Sequence, residues 1–261
     1  MRTGAIGGIV WGAFALLVVV FMATPLFLVI LFSFNQSALT SLPLTGLTLD
    51  WYRKLFDNNS FWPALQNSLI VGFTVAIASV VTGTLAAMAL ARMRERIAGS
   101  IISALSVPIM LPPLILGIAL AVFFVRLLDL RLSLGTVILG HMMIAQPFVV
   151  LIVYARLATF DWTTVDAARD LGASPLTAFR TVVLPMIQPT IIGAALIALS
   201  ISLDDFVITF FTLGGGNTLP TLVWGLVRTS LDPTINAMAT LLIVLSIGST
   251  AIAIQLSRYR G

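Results

Sequence analysis

The stretch DAARDLGASPLTAFRTVVLP, Asp166 to Pro185, interrupts a chain that is otherwise close to pure hydrocarbon. Just ahead of it, Thr163 can cap a helix in a capping-box pattern with Asp166 three residues on, and Asp161 and Asp166 suit the positive end of the helix dipole. That helix is expected over Val165 to Leu171. It stops at Gly172, the residue type best able to take the left-handed backbone of the C′ position. Ser174 then caps a second helix whose first residue, Pro175, loses nothing by lacking an N–H. This helix runs to about Val183, where Leu184-Pro185 bends the chain back into apolar sequence. Two capped polar helices at a glycine corner exceed what a connector between neighbouring apolar segments requires. Small Ala167, Ala168 and Ala173 beside charged Arg169 and Asp170 make a surface that can press closely against a partner while its polar tips pair with charges.

The rest of the chain says where that surface sits. Of 261 residues, 59% are hydrophobic and 9% are charged, and the mean hydropathy is +1.09. So few charges cannot keep a globule of this size in water, which excludes a large soluble enzyme and places the chain in lipid. Runs long enough to cross about 30 Å of hydrocarbon lie at Ile9 to Phe32, Leu65 to Ala91, Ile101 to Val125, Leu134 to Tyr154, Met186 to Phe211 and Asn236 to Leu256. The expected fold is an all-α membrane protein of six transmembrane helices. The first run follows Arg2, is too long for a signal peptide and lacks a small-residue cleavage site, so an uncleaved span is expected.

Cationic residues set the orientation. With the N-terminus in the cytoplasm, Arg2, Arg92, Arg94, Arg96, Arg156, Arg169, Arg180, Arg258 and Arg260 stay inside, against Arg53, Lys54, Arg126, Arg131 and Arg228 outside. The majority favours N-in and C-in, with the compact ARMRERIAG turn, Ala91 to Gly99, as the strongest single vote. The Asp166–Pro185 stretch is then cytoplasmic. Absence of cysteine excludes disulfides and thiolate chemistry. The modest basic balance follows from topology and calls for no nucleic acid.

On the outer side, LDWYRKLFD within the Phe34–Leu65 loop reads as a short interfacial helix with Trp51, Leu55 and Phe56 toward the membrane. Trp51 is either an interfacial anchor or part of a solute path. The Gly214-Gly215-Gly216 tract lacks the Lys-Ser/Thr of a phosphate loop and reads as a flexible hinge or turn. Inside the spans, Asp204 and Asp205 are the acids, and such residues are costly enough in lipid to carry function. On a continuous helix they would point about 100° apart, so one can line a pathway while the other binds a neighbour. His141 lacks the partners of a metal site and is expected to be an interhelical hydrogen-bonding group. Gly83, Ala87 and Ala91 form a close-packing seam on the second span, and Pro108, Pro112 and Pro113 kink the third.

Asp166-Ala167-Ala168, three residues, Gly172, nine residues, Val182, one residue, Leu184-Pro185 resembles the E-A-A-x3-G-x9-I-x-L-P signature of permease subunits in bacterial ATP-binding-cassette (ABC) importers. Asp for Glu at 166 and Val for Ile at 182 are the departures. The six-span plan, the place of the loop between spans four and five, and SLDDFVITFF, Ser202 to Phe211, extend the resemblance over most of the chain, toward spermidine/putrescine-type permeases. It implies a type I importer permease fold in the bacterial inner membrane. Asp166, Ala167, Ala168, Arg169, Asp170, Gly172, Leu184 and Pro185 would couple to a cytoplasmic ATPase, and Asp204, Asp205, Phe206 and Trp51 would border the solute pathway. It implies no cofactor in this chain, since ATP-Mg would be bound by two ATPase subunits. A second homologous permease, a periplasmic or extracellular binding protein, a small-molecule solute and membrane lipid complete the implied partners. Polyamine permeases tend to carry an acid after Met-x-Pro in the third span, where Pro113 stands here, which widens the implied solute to other small amines and opine-like compounds. An ion-coupled carrier using Asp204 and Asp205 is the alternative function; such a carrier has no use for the polar loop.

Overall fold

The computed structural model describes residues 5–39, 41–229 and 232–258. Arg2 and Arg260, counted above for orientation, lie outside the described residues. Among the described residues the regular structure is helical, with one isolated antiparallel bridge between Asn35 and Leu47 and no strand. The helices are α1 (Ala5–Ser33), α2 (Asp50–Phe56), α3 (Phe61–Leu90), α4 (Glu95–Leu105), α5 (Val107–Met110), α6 (Pro113–Val122), α7 (Leu134–Ala158), α8 (Thr163–Asp170), α9 (Pro175–Ala178), α10 (Leu184–Asp204), α11 (Val207–Thr212), α12 (Leu219–Thr229) and α13 (Thr234–Arg258). Two π-helical turns, Phe123–Leu127 and Phe179–Val183, prolong α6 and join α9 to α10.

Four stretches are long and apolar enough to cross a bilayer: Val10–Ser33, Phe61–Leu90, Leu134–Ala158 and Pro175–Asp204. Pro113–Leu127 and Thr234–Gly248 are shorter apolar helices. Two of the expected spans are discontinuous. Between α5 and α6, Leu111 and Pro112 both take extended backbone, the conformation favoured before a proline, and Pro113 opens α6 at its first position, where a missing N–H costs nothing. The expected kink is thus a full break. The second break lies at Asp205–Phe206, where no proline or glycine announces it.

The chain packs as two units, the described residues of 1–61 with 223–245 and those of 62–222 with 246–258. In the first, Asn35 organises the loop after α1. Its buried side chain accepts from the Thr45 amide and hydroxyl, and its carbonyl accepts the Trp51 indole N–H at 2.7 Å. The LDWYRKLFD helix forms as expected, but Leu55 is fully buried in protein rather than turned to lipid. Lys54 pairs with Asp232, which also accepts the Thr234 amide and hydroxyl. Burial pulls the Asp232 carboxyl upward, but the Lys54 and Thr234 donors outweigh it and hold the group below its ordinary value.

In the second unit α7 is the central post, packing against α10 and α11. Lipid offers no hydrophobic drive for helices to associate, so close approach decides. A Cβ on Gly83 would lie 2.7 Å from Val149 of α7, and Ala87 is fully buried, so the expected seam exists at these two positions. Ala91 lies past the end of α3. Similarly, a Cβ on Gly140 would meet Ile208 at 2.7 Å and one on Gly117 would meet Phe211 at 2.9 Å. The short α11 therefore lies in a groove that two glycines open, against Leu116, Leu120 and Phe124.

The glycine tract after α11 is held rather than flexible. Gly214 and Gly216 take left-handed φ of +75° and +79°, the Asn67 amide donates to the Asn217 carbonyl at 2.9 Å, and the Leu219 amide donates to Ser68 at 2.8 Å. A Cβ on Gly214 would collide with the Leu132 backbone, whereas Gly215 has open space. Gly214→Ala is expected to lower the unfolding midpoint in detergent, with at least the ~1–2 kcal/mol of a left-handed L-residue; Gly215→Ala should leave it unchanged.

Candidate functional site

The polar corner is built by side chains on both of its helices. α8 begins at Thr163, and the group that caps it is Asp161, whose Oδ1 accepts from the Thr163 hydroxyl at 2.7 Å and its amide at 3.1 Å. The expected cap at Thr163 is thus displaced by two residues, because Thr163 lies already inside the first turn. At the other end the Gly172 amide donates to the Arg169 carbonyl at 2.9 Å and the Ala173 amide to the Ala168 carbonyl at 3.1 Å. These are the paired bonds of a Schellman ending, closed by Gly172 at φ +89°. Ser174 caps the next helix by accepting from the Thr177 amide at 3.2 Å, with Pro175 at its first position. Asp166, Arg169, Asp170, Gly172, Ala173 and Pro175 line one open concavity of about 440 Å³. Leu171 stands 91% exposed at the tip of the corner.

Leu184 and Pro185 lie away from that concavity, inside a continuous helical shaft. The chain re-enters apolar sequence here without ending the helix. Proline at 185 would drive its ring into the carbonyl four residues back, and the π turn relieves this by widening the helix, with the Leu184 amide reaching the Phe179 carbonyl instead. Ahead of α8, the Arg92 guanidinium lies 4.6 Å over the Trp162 ring, and Trp162 packs against Phe160 at 4.9 Å. The corner is thereby tied to the ARMRER turn, a link that neither residue signalled on its own.

At the far end of the shaft is the break. Asp205 takes extended backbone, the conformation of an N-cap, and its Oδ1 accepts from the amides of Ile208 at 2.9 Å and Thr209 at 3.2 Å. The same oxygen is 3.4 Å from Nε2 of His141. His141, buried on α7, joins both sides of the break through Ser202 on Nδ1 and Thr209 on Nε2, each at 2.8 Å. The Thr209 hydroxyl donates to the Asp205 carbonyl at 3.2 Å. Because the Thr209 hydroxyl spends its proton on the Asp205 carbonyl, its oxygen accepts from Nε2–H of His141, while Nδ1 pairs with the Ser202 hydroxyl. His141 is therefore the interhelical hydrogen-bonding group expected of it.

Of the residues expected to border a solute path, Asp204, Asp205 and Phe206 lie at the break, with Phe206 ring-packed on Phe210 at 5.5 Å. Trp51 belongs to the other unit, with its indole N–H spent on Asn35 and Lys54 over its ring at 5.8 Å. The 100° argument for the two acids does not apply, because the helix ends between them. Ser202 and Thr209 escaped the sequence reading; their spacing of seven residues, two turns on one face, is the only trace they leave.

Comparison with known proteins decides the family. Residues 79–259 match the model of the binding-protein-dependent transport system inner membrane component. The chain belongs to that family. This permease is 34% identical over 243 residues to the spermidine/putrescine transport system permease protein PotC of Escherichia coli, covering 93% of this chain and 91% of the relative. It is 35% identical over 233 residues to the putrescine transport system permease protein PotI of Escherichia coli, covering 85% and 82%. Among solved structures it resembles a chain of a bacterial alginate ABC transporter in complex with an alginate pentasaccharide-bound periplasmic protein. The TM-score is 0.72 at 16% identity, covering 95% of this chain and 94% of that one. A chain of the inward-facing MetNI methionine ABC transporter gives 0.65 at 20%, covering 77% and 96%. The protein is thus a multi-pass inner-membrane transport subunit of an ABC importer, not an enzyme.

The permease's corner carries a pH signature. The Thr163 hydroxyl and amide hold the exposed Asp161 carboxyl below its ordinary value of 3.8, against a small opposing effect of burial. A depressed carboxyl stabilises fully above the unfolded value and loses that contribution as pH falls through the folded one. Amide protection of α8 should hold from about pH 7 to 5 and fall below about pH 4, whereas Asp161→Asn, which caps without ionising, should remove the acid-dependent part.

Proposed function

We propose that this permease forms half of the translocation pathway of an ATP-driven importer of small cationic amines, polyamines among them. It has six spans with both termini in the cytoplasm, pairs with a second homologous permease, and works with two cytoplasmic ATPases and an external binding protein. ATP-Mg is handled by the ATPases. Loop 161–185 is the cytoplasmic coupling element, and at least one of Asp204 and Asp205 faces the path, where a carboxylate suits a cationic solute.

The observation that carries the coupling role is the corner itself. Two capped helix ends hold Asp166, Arg169 and Asp170 around one concavity, and an almost fully exposed leucine crowns it, a surface with charge for specificity and an apolar knob for burial. The polyamine class is supported by the relatives, which are named for spermidine and putrescine and match most of the chain. Pro113, in place of an acid, widens the class from polyamines to other small amines and opine-like compounds.

The test is a change of corner angle. Gly172 has open space for a side chain, so a substitution there strains only the backbone. In the complete complex in liposomes, Gly172→Leu is expected to lower ATP-driven putrescine uptake by about tenfold or more while ATP hydrolysis continues. Gly172→Asn, which visits the left-handed region, should retain most of it. Coupled uptake unchanged in Gly172→Leu would remove the loop from the mechanism.

A further inference from the structure

Asp204 and Asp205 are neighbours in sequence with different surroundings. Asp205 turns into the protein: one carboxylate oxygen takes two amides of α11 and faces His141, and the side chain is 16% exposed. Asp204 is the last residue of α10 and is exposed, and none of the described residues donates to it or forms an ion pair with it. Apolar sequence lies on both sides, α10 before and FVITFF after. A carboxylate so placed cannot rest against lipid and requires a water-filled path, a cationic ligand or a polar group of a partner chain, of which the first two suit a transport subunit for cationic solutes.

The geometry points to a division of labour: Asp204 is the carboxylate that the cationic amine meets, whereas Asp205, held by the Ile208 and Thr209 amides beside His141, is a positioning residue that caps α11 and fixes the break at which Asp204 is presented. The inference rests on the pathway role proposed for this segment and assigns it to one residue. The chemistry of the two jobs differs. A passing ammonium needs negative charge with open lone pairs, which Asp204 has. A cap needs a lone pair and no charge, which is why asparagine serves at an N-cap as well as aspartate does. His141 adds what a cap alone lacks, since it grips Ser202 on α10 and Thr209 on α11 together.

Asparagine at each position separates the jobs. In the full complex with its partner permease, ATPases and binding protein in liposomes, radiolabelled putrescine uptake is the readout, normalised to assembled complex. Asp204→Asn is expected to lose about tenfold or more, Asp205→Asn to stay within about threefold, and Asp205→Ala to fall in both uptake and heat stability, so that asparagine rescues what alanine loses. The reverse order, with Asp205→Asn inactive and Asp204→Asn active, overturns the division and leaves the pathway role standing. An Asp204→Asn chain that no longer assembles with the partner permease overturns it too, by making Asp204 an interface group. Full uptake in the Asp204→Asn, Asp205→Asn double variant overturns the pathway role as well.

Discussion

Peptide groups out of reach of water must be paired, at a cost of several kcal/mol for each that is not. That constraint shapes both interruptions of this bundle. At Leu111–Pro112 the sequence removes donors, since Pro112 and Pro113 bring no N–H to be satisfied. At Asp205–Phe206 it supplies an acceptor, the Asp205 carboxylate, to two amides that a helix would otherwise have served. At the second break the two amides are paired directly on one carboxylate oxygen, whereas an interhelical hydrogen bond averages about 0.6 kcal/mol in membrane proteins. His141 therefore aligns the break more than it stabilises it. Beyond the breaks, α6 and α11 pack on each other with glycines at the contacts, leaving α11 no freedom to drift.

The same economy links corner to break. Pro175 to Asp204 is one helical run of 30 residues, about 45 Å at 1.5 Å per residue. One end is the Ser174 cap beside Gly172; the other is Asp204. The π turn over Phe179–Val183 lets Pro185 sit in that run without ending it, so corner and break lie on one uninterrupted helix. A second tie, Arg92 over Trp162, joins the start of α8 to the turn after α3. A helix that stopped at Leu184 would leave the two ends mechanically separate.

Much of this was legible from residue order alone. Gly172, Ser174 and Pro175 each act locally, through φ, a hydroxyl cap and a missing N–H, so the corner could be read nearly residue by residue. The apolar lengths likewise placed α1, α3, α7 and α13 to within about four residues, but not the division of the third run into α4, α5 and α6. What failed was whatever depended on partners distant in sequence. Asp161 takes the Thr163 amide and hydroxyl because the helix begins one residue earlier than the Thr163 cap required. The helix runs on through Pro185 by a π turn that no composition signals. The break at Asp205 is held by His141, 64 positions earlier, and nothing within SLDDF distinguishes a capping acid from an exposed one. The glycine tract looked flexible because Leu132, Asn67 and Ser68, which hold it, lie far from it in the chain.

The central claim is that a separate ATPase works this bundle through the glycine-jointed corner. It is tested most directly by driving-force exchange in liposomes, with the permease pair and binding protein reconstituted with or without the ATPase subunits and offered either ATP or a proton or sodium gradient. Solute accumulation only with ATPase and hydrolysable ATP is the predicted result. Accumulation on an ion gradient alone, with no ATPase present, would contradict it.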